Sequence, residues 1–428
     1  MAHRREFLQY AAMAAVAAGA PVARAAEALG AEGDPPLPPR ALFDADAERY
    51  WAALRRQWLL APDRVNLNCG MLGCSPLPVI RAMVEHLQSS ESFREDDLPR
   101  FGFEENAYLK KVRTSLAEFV GCSRDELALT RNTTEGNAIV ANGLDLKPGD
   151  EVILTDQEHH SARGSWEMQA ARRGIVLVPV RIPKPPRSAY EIQCLLETQI
   201  TERTRVITLS HVTTSTGVVL PVKELCALAR KRGVLTHVDG AHAIGQVPIN
   251  LREIGCDFYT ASPHKWLMAP KGCGLLYIRE EHLDKLWPLI GTNHWQDKAL
   301  KAYRFSNFGT SNLSVMVGLQ AALDFFREIG PERIYARGHQ LATRVRDRVS
   351  SYPQLQHENA SADEFYGNMV SFRTEPAIFA RILAECKQRN IRVTPFESAS
   401  RIRVSTHIFT QPTELNLLFD ALDAAMRA

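Results

Sequence analysis

Apolar residues fall into two rhythms along this chain. Short runs with little polar alternation recur at residues 127–130, 151–155, 174–180, 206–209, 234–238, 256–261 and 275–278. Runs of that length predict strands covered on both faces, as in a parallel sheet. Between and after them, residues 101–120, 138–144, part of 187–204, 221–233 and 315–329 carry apolar positions at helical spacing. The stretch 221–233 also ends in Arg230, Lys231, Arg232 and Gly233, basic residues that suit a helix C-terminus and a glycine that stops it. Strand–helix alternation predicts an α/β fold. From about residue 330 the order becomes helix, strand, helix, strand, helix, which predicts a smaller C-terminal α+β domain (330–428) after a large domain (65–329).

The N-terminal part follows other rules. Residues 26–64 predict a Pro-rich linker and then a helix over 42–60, with Phe43, Tyr50, Trp51, Leu54 and Trp58 on one face. Residues 1–25 read as a targeting segment: Arg4-Arg5-Glu6-Phe7-Leu8, an Ala-rich stretch, then Ala23-Arg24-Ala25. That order predicts a twin-arginine signal and export of the folded protein to the periplasm.

Composition narrows the class. The chain has 428 residues, 45% of them hydrophobic and 23% charged, ordinary for a globular protein. The net charge of +2 gives no reason to expect nucleic acid or an anionic membrane as partner. After the N-terminus no apolar run is long enough to span a bilayer. The eight cysteines form no CxxC pair and no zinc spacing, so no metal site is expected and they read as buried small residues. A Cys69–Cys74 disulfide is left open.

The chemistry concentrates in residues 234–265. The run 234–238 leads into Asp239 and Gly240, and the run 256–261 leads into Ser262, Pro263, His264 and Lys265. An acid and an amine thus each follow a strand, at the edge where open α/β sheets bind ligands. A pyridoxal phosphate (PLP) enzyme uses such a pair: the amine forms a Schiff base with the cofactor aldehyde, and the acid keeps the pyridine nitrogen protonated.

The segments DGAHAIG and, 26 positions after the Asp, SPHKW closely resemble aminotransferase class V. These are fold-type I PLP enzymes, among them cysteine desulfurases, phosphoserine aminotransferases, kynureninases and isopenicillin-N-epimerase-like proteins. The resemblance implies a fold-type I PLP transferase with pyridoxal 5'-phosphate as cofactor, Lys265 as its lysine and Asp239 as partner of the ring nitrogen. It makes Thr133 and Thr134, after Asn132, the phosphate ligands; unaided, a strand, Asn-Thr-Thr and a helix read as an N-cap suited to an anion. His159, with His160 next, matches the imidazole laid on the cofactor ring. His242 stands where many relatives have Gln, near the ring oxygen; Thr214 replaces the desulfurase-like Asn. Ser262 and His264 flank the lysine and hold phosphate or orient it. Gly309 and Thr310, in RFSNFGTSN, match a loop that reaches the phosphate of a second subunit, implying a homodimer with shared active sites. Arg403, in IRVSTH, matches the arginine that binds the substrate carboxylate. Asn68 and Gly70 match an N-x-G-x-x-G-x-x-P segment over the active site.

A cysteine desulfurase needs a nucleophilic Cys ahead of that arginine, and residues 390–403 contain none. The RVTPF and IRVSTH segments look most like the isopenicillin-N-epimerase-like group. Lys265 would then move the α-proton of an amino acid or a peptide-linked amino group: return to Cα is epimerisation, return to the cofactor is transamination, with transamination or related Cα chemistry the main reading and an epimerase or lyase the runner-up. With a twin-arginine signal ahead of a class V domain, the chain resembles some exported relatives that tailor pyoverdine siderophores in the periplasm, which implies a periplasmic enzyme. A reading of another class is an exported binding module that keeps the fold without the chemistry, and intact Lys265, Asp239 and Arg403 count against it.

Overall fold

The computed structural model describes residues 33–92, 105–307, 309–359 and 362–427. The signal-peptide reading of residues 1–25 lies outside the described residues. Seven strands form the large sheet: β1 (Leu127–Thr130), β2 (Glu151–Thr155), β3 (Val176–Val180), β4 (Thr204–Ser210), β5 (Leu235–Asp239), β6 (Phe258–Ala261) and β7 (Gly274–Ile278). Their order is β1-β7-β6-β5-β4-β2-β3. β7 runs antiparallel to both its neighbours and every other pairing is parallel. The central strands are apolar on both faces because helices cover both, and each of β1, β2, β6 and β7 is buried throughout.

Two expectations are corrected here. The run 174–180 was expected to be a buried strand; β3 is instead an edge strand, paired only with β2, with Val176 and Pro179 exposed, Leu177 and Val178 partly buried and only Val180 buried. Gly174 belongs to the preceding turn, capping helix His160–Arg173 at φ 70°. The helix expected over 42–60 is broken at Asp46, whose carboxylate caps the second piece, Ala47–Leu54, by accepting from Arg49 N at 3.0 Å. Helix Leu77–Glu91, which the pattern above does not include, packs along helix Ser314–Ile329. The helix expected from residue 101 begins at Ala107 within the described residues, capped by Asn106.

The C-terminal part carries a four-stranded antiparallel sheet, order β10-β11-β9-β8, from β8 (Gln356–His357), β9 (Met369–Arg373), β10 (Thr394–Phe396) and β11 (Arg401–Ser405). Helices Pro331–Ser350, Pro376–Gln388 and Pro412–Arg427 bury their apolar faces with it in a core separate from the main one. The N-terminal strand Val65–Asn66 pairs in parallel with Ile391–Arg392, and Asn68 bridges to Ser405. This pairing crosses more than three hundred residues and lays the segment after it over the mouth of the large sheet. All eight cysteines are free thiols, including Cys69 and Cys74. Among the described residues no helix is long and apolar enough to cross a membrane.

Candidate active site

Because β1, β2, β4, β5 and β6 run parallel, their C-terminal ends open on one edge, and the loops that follow them converge there. Asp239 is the last residue of β5 and is buried. Its Oδ2 accepts from Asn137 Nδ2 at 3.1 Å and its Oδ1 from Ala241 N at 3.0 Å. Asn137 is held in turn by Thr260 Oγ1, which donates to its Oδ1 at 2.6 Å. Beyond Thr260, His237 lies 3.4 Å away through Nε2 and reaches Thr208 Oγ1 at 3.1 Å through Nδ1. The carboxylate is thus fixed by amide and peptide donors, and no cation forms a salt bridge with it among the described residues.

Lys265 follows β6 on the turn through Ser262, and its Nζ lies 3.0 Å from His242 Nε2. Burial lowers the Lys265 pKa to about 8, with the Asp239 carboxylate pulling up and Arg403 pushing down. Burial also holds His242 well below its ordinary value, with Lys265 and Arg403 next in weight.

At the start of helix Thr133–Gly143, Asn132 caps by accepting from Glu135 N at 3.0 Å. Thr133 N donates to Ser262 Oγ at 2.9 Å, and the two hydroxyls lie 2.7 Å apart. Thr134 is exposed at the second helical position. A helix N-terminus lined with hydroxyls suits an anion. His264 Nδ1 is buried with no hydrogen-bond partner. His159 caps helix His160–Arg173: its Nδ1 accepts from Ser161 N at 3.2 Å, and its ring centroid lies 3.8 Å from that of His160. Burial, then His160, Lys265 and Arg403, push its pKa down to about 4, so the ring is neutral at pH 7.

Arg403, on β11, is only 2% exposed. Its Nη1 donates to Thr214 O, its Nη2 to Thr394 Oγ1 at 3.1 Å, and its Nε has no partner. Burial lowers its pKa to about 10, so it stays charged without a carboxylate beside it. Thr394 Oγ1 donates in turn to Asn68 Oδ1, and Ser405 Oγ is buried and unpartnered. The segment after Asn68 lies against both key cations. A Cβ on Gly73 would stand 2.0 Å from Lys265 O, and one on Gly70 3.0 Å from Arg403 Nη2. Only glycine permits that approach.

The fold therefore gathers Asn68, Thr133, Asp239, His242, Ser262, Lys265 and Arg403 into one linked set, with His159 close enough to feel Lys265 and Arg403. Gly309 and Thr310 are not gathered in. They lie in the loop before helix Ser314–Ile329, a Cβ on Gly309 would meet nothing within 4 Å, and Thr310 is exposed.

Five groups at the site received no role in the sequence reading, though each lies in or beside a segment it singled out: Asn137, Glu158, Trp266, Thr394 and Ser405. Glu158 accepts from Thr155 Oγ1 at 2.6 Å and Ser210 Oγ at 2.7 Å; burial, with Asp239 nearby, raises its pKa to about 7. Its place directly before His159 was the one signal available for it. Trp266 and Ser405 stand beside Lys265 and Arg403 in sequence, but the contacts that give Trp266, Asn137 and Thr394 their roles are to residues distant in sequence or in another strand.

Aminotransferase class V matches the chain over residues 74–410. The chain belongs to aminotransferase class V. It is similar to isopenicillin N epimerase of Streptomyces clavuligerus, 33% identical over 393 residues, covering 87% of this chain and 98% of that protein. The epimerase of Amycolatopsis lactamdurans is 32% identical, with the same 87% and 98% coverage. A probable cysteine desulfurase of Methanothermobacter thermautotrophicus is 29% identical, covering 86% and 96%. Among solved structures, a C-DES mutant with glycine covalently linked to the PLP cofactor superposes with a TM-score of 0.76 at 25% identity, covering 86% of this chain and 98% of that one. The class V enzyme is thus fold-type I, and its cofactor is pyridoxal phosphate. The residues fit that cofactor: a buried amine, a buried carboxylate without a cation, a hydroxyl-lined helix N-terminus, and buried donors without partners.

Proposed function

We propose that this class V enzyme moves the α-proton of an amino acid, free or peptide-linked, whose carboxylate binds Arg403. The observation that carries the reading is the buried guanidinium with a free Nε and no acidic partner, near enough to Lys265 to depress its pKa. Breaking a buried pair by removal of one partner costs about 3–5 kcal/mol, so a lone buried cation is built for an anion that arrives.

The roles follow from the geometry. Arg403, with Asn68 and Thr394 behind it, takes the substrate carboxylate. Thr133, Thr134, Ser262 and His264 would hold the cofactor phosphate, and neutral His159 would support its ring. Asp239, fixed by Asn137 and Ala241 N, keeps the ring nitrogen protonated. Bound PLP supplies an electron sink for the pair left at Cα. Lys265 would hold the cofactor and, as a free amine, would take the α-proton. Gly309 and Thr310, free of contacts to their own site, serve the phosphate of a second copy in a homodimer. The persulfide route has no support: residues 390–403 lack Cys, and Cys386 is buried in helix Pro376–Gln388 with its thiol pushed up to about 11.

Transamination is our first reading of the outcome, on an amino group of the kind an exported siderophore peptide carries, after twin-arginine export to the periplasm. Epimerisation is the second, favoured by similarity to two isopenicillin N epimerases along 98% of their length. The test is the visible spectrum of the protein from about residue 26 onward, beside Lys265→Ala, each titrated with amino acids. A borohydride-reducible band present only in wild type supports the role of Lys265. In deuterated water, a 2-oxo acid product means transamination, and deuterium at Cα of both enantiomers means epimerisation. Featureless spectra from both proteins after adding PLP sink the enzyme reading in favour of the binding module.

A further inference from the structure

The 3.0 Å between Lys265 Nζ and His242 Nε2 admits two hydrogen arrangements. Either an ammonium donates to a bare ring nitrogen, or a ring N–H donates to the lone pair of a free amine. The far side of the ring discriminates between them. Trp266 Nε1, a donor with no acceptor capacity, lies 3.4 Å from His242 Nδ1. A neutral imidazole has one N–H, so accepting at Nδ1 places the hydrogen on Nε2. The ring is neutral because it is buried and faces Lys265, Arg403, His159 and His264. Nor is the indole free to turn. It lies parallel to the His407 ring, 5.7 Å between centroids at 7°. His407 stacks on Phe409 at 4.7 Å and 12°, and Phe409 contacts Trp58 at 5.2 Å. All four rings are buried.

We propose that Trp266 is a positioning residue that locks His242 as the Nε2–H tautomer, so that the imidazole offers Lys265 a donor and favours the free-amine form of the lysine over the ammonium. That is the form of lysine that adds to a carbonyl. The depressed Lys265 pKa agrees, and the charged groups facing it, Asp239 and Arg403, act in opposite directions. The inference concerns the site described above but not its reaction, and both readouts use cofactor-free protein, so it stands or falls separately from the function proposed.

The first readout is the ring-nitrogen NMR spectrum of His242 in 15N-labelled protein. The second is the pH dependence of reductive methylation of Lys265, followed by peptide mass spectrometry. Wild type is expected to show hydrogen on Nε2 and a lysine midpoint near pH 8. Trp266→Phe keeps an aromatic ring and loses the N–H. It is expected to admit the Nδ1–H tautomer and raise the midpoint by about one unit, roughly tenfold less free amine at neutral pH. His242→Gln supplies an amide donor without needing Trp266, so in that background Trp266→Phe should change nothing. An Nδ1–H tautomer in wild type overturns the proposal without any variant, as does a Trp266→Phe protein with tautomer and midpoint both unchanged.

Discussion

Replacing Arg403 by Met tests the carboxylate site while keeping its volume filled. A guanidinium has five N–H donors, and here one goes to Thr214 O and one to Thr394 Oγ1, leaving three, Nε among them, for a ligand. A carboxylate gripped by two of these gains two hydrogen bonds to a charged group, each worth about 1.5–3 kcal/mol. The loss in Arg403→Met is therefore about 3–6 kcal/mol, or roughly 10²–10⁴ in kcat/KM for an amino acid. The decarboxylated amine of the same substrate never makes those bonds, so its kcat/KM should change less than about threefold. The assay compares both substrates on both proteins, with the cofactor band confirming occupancy. Arg403 also ties the loop after β4 to β11 through Thr214 O. Equal losses for amine and amino acid would mean that this tie, not carboxylate binding, is its work, and the reasoning would be refuted. Arg403→Lys should recover only part of the discrimination, since an ammonium does not grip two oxygens in one plane.

Three further outcomes are expected. Asn137→Ala leaves buried Asp239 Oδ2 without its amide donor, while Thr260 Oγ1 keeps His237 Nε2 within 3.4 Å; at about 1–3 kcal/mol for one orphaned group, urea unfolding should show a loss of about 1–3 kcal/mol, and a loss under 0.5 kcal/mol contradicts the network. Gly73→Ala would put a Cβ 2.0 Å from Lys265 O, so the cofactor band should weaken or vanish, whereas Gly164→Ala, with open space around it in helix His160–Arg173, should be neutral or stabilising by up to about 1 kcal/mol; equal behaviour of the two variants would sink the close-approach argument. Burial raises the Glu158 carboxyl from 4.5 to about 7, so between those values the folded protein keeps a proton the unfolded chain has released. Stability then falls as pH climbs through that window, by about 1–3 kcal/mol, and levels above it. Glu158→Gln should flatten this part of the curve, and a variant with the wild-type slope would assign it to another group.

What was readable from sequence was local. A buried strand of a doubly covered sheet is a short apolar run, so β5 and β6 stood out, and Asp239 and Lys265 were placed by lying just past such runs. The Asn132 cap and the glycines of the Asn68–Gly73 segment were equally local. Sheet order is not written in any one strand. The 174–180 run is nearly as apolar as its neighbours, yet β3 lies at the edge, because position in the sheet is set by which helices cover which crossover. Helix Leu77–Glu91 mixes its apolar positions with Arg81, Glu85 and His86 and shows its face only against helix Ser314–Ile329. Sequence by itself determined the alternating elements and pointed to the acid and the amine, each just past its own strand, whereas Arg403, in the middle of β11, was singled out only by the resemblance of its segment to class V. The tertiary structure decided which groups tune them. Asn137 beneath Asp239, Trp266 behind His242 and Thr394 beside Arg403 act through hydrogen bonds only a few ångströms long, and such contacts exist only once strands distant in sequence have been laid side by side.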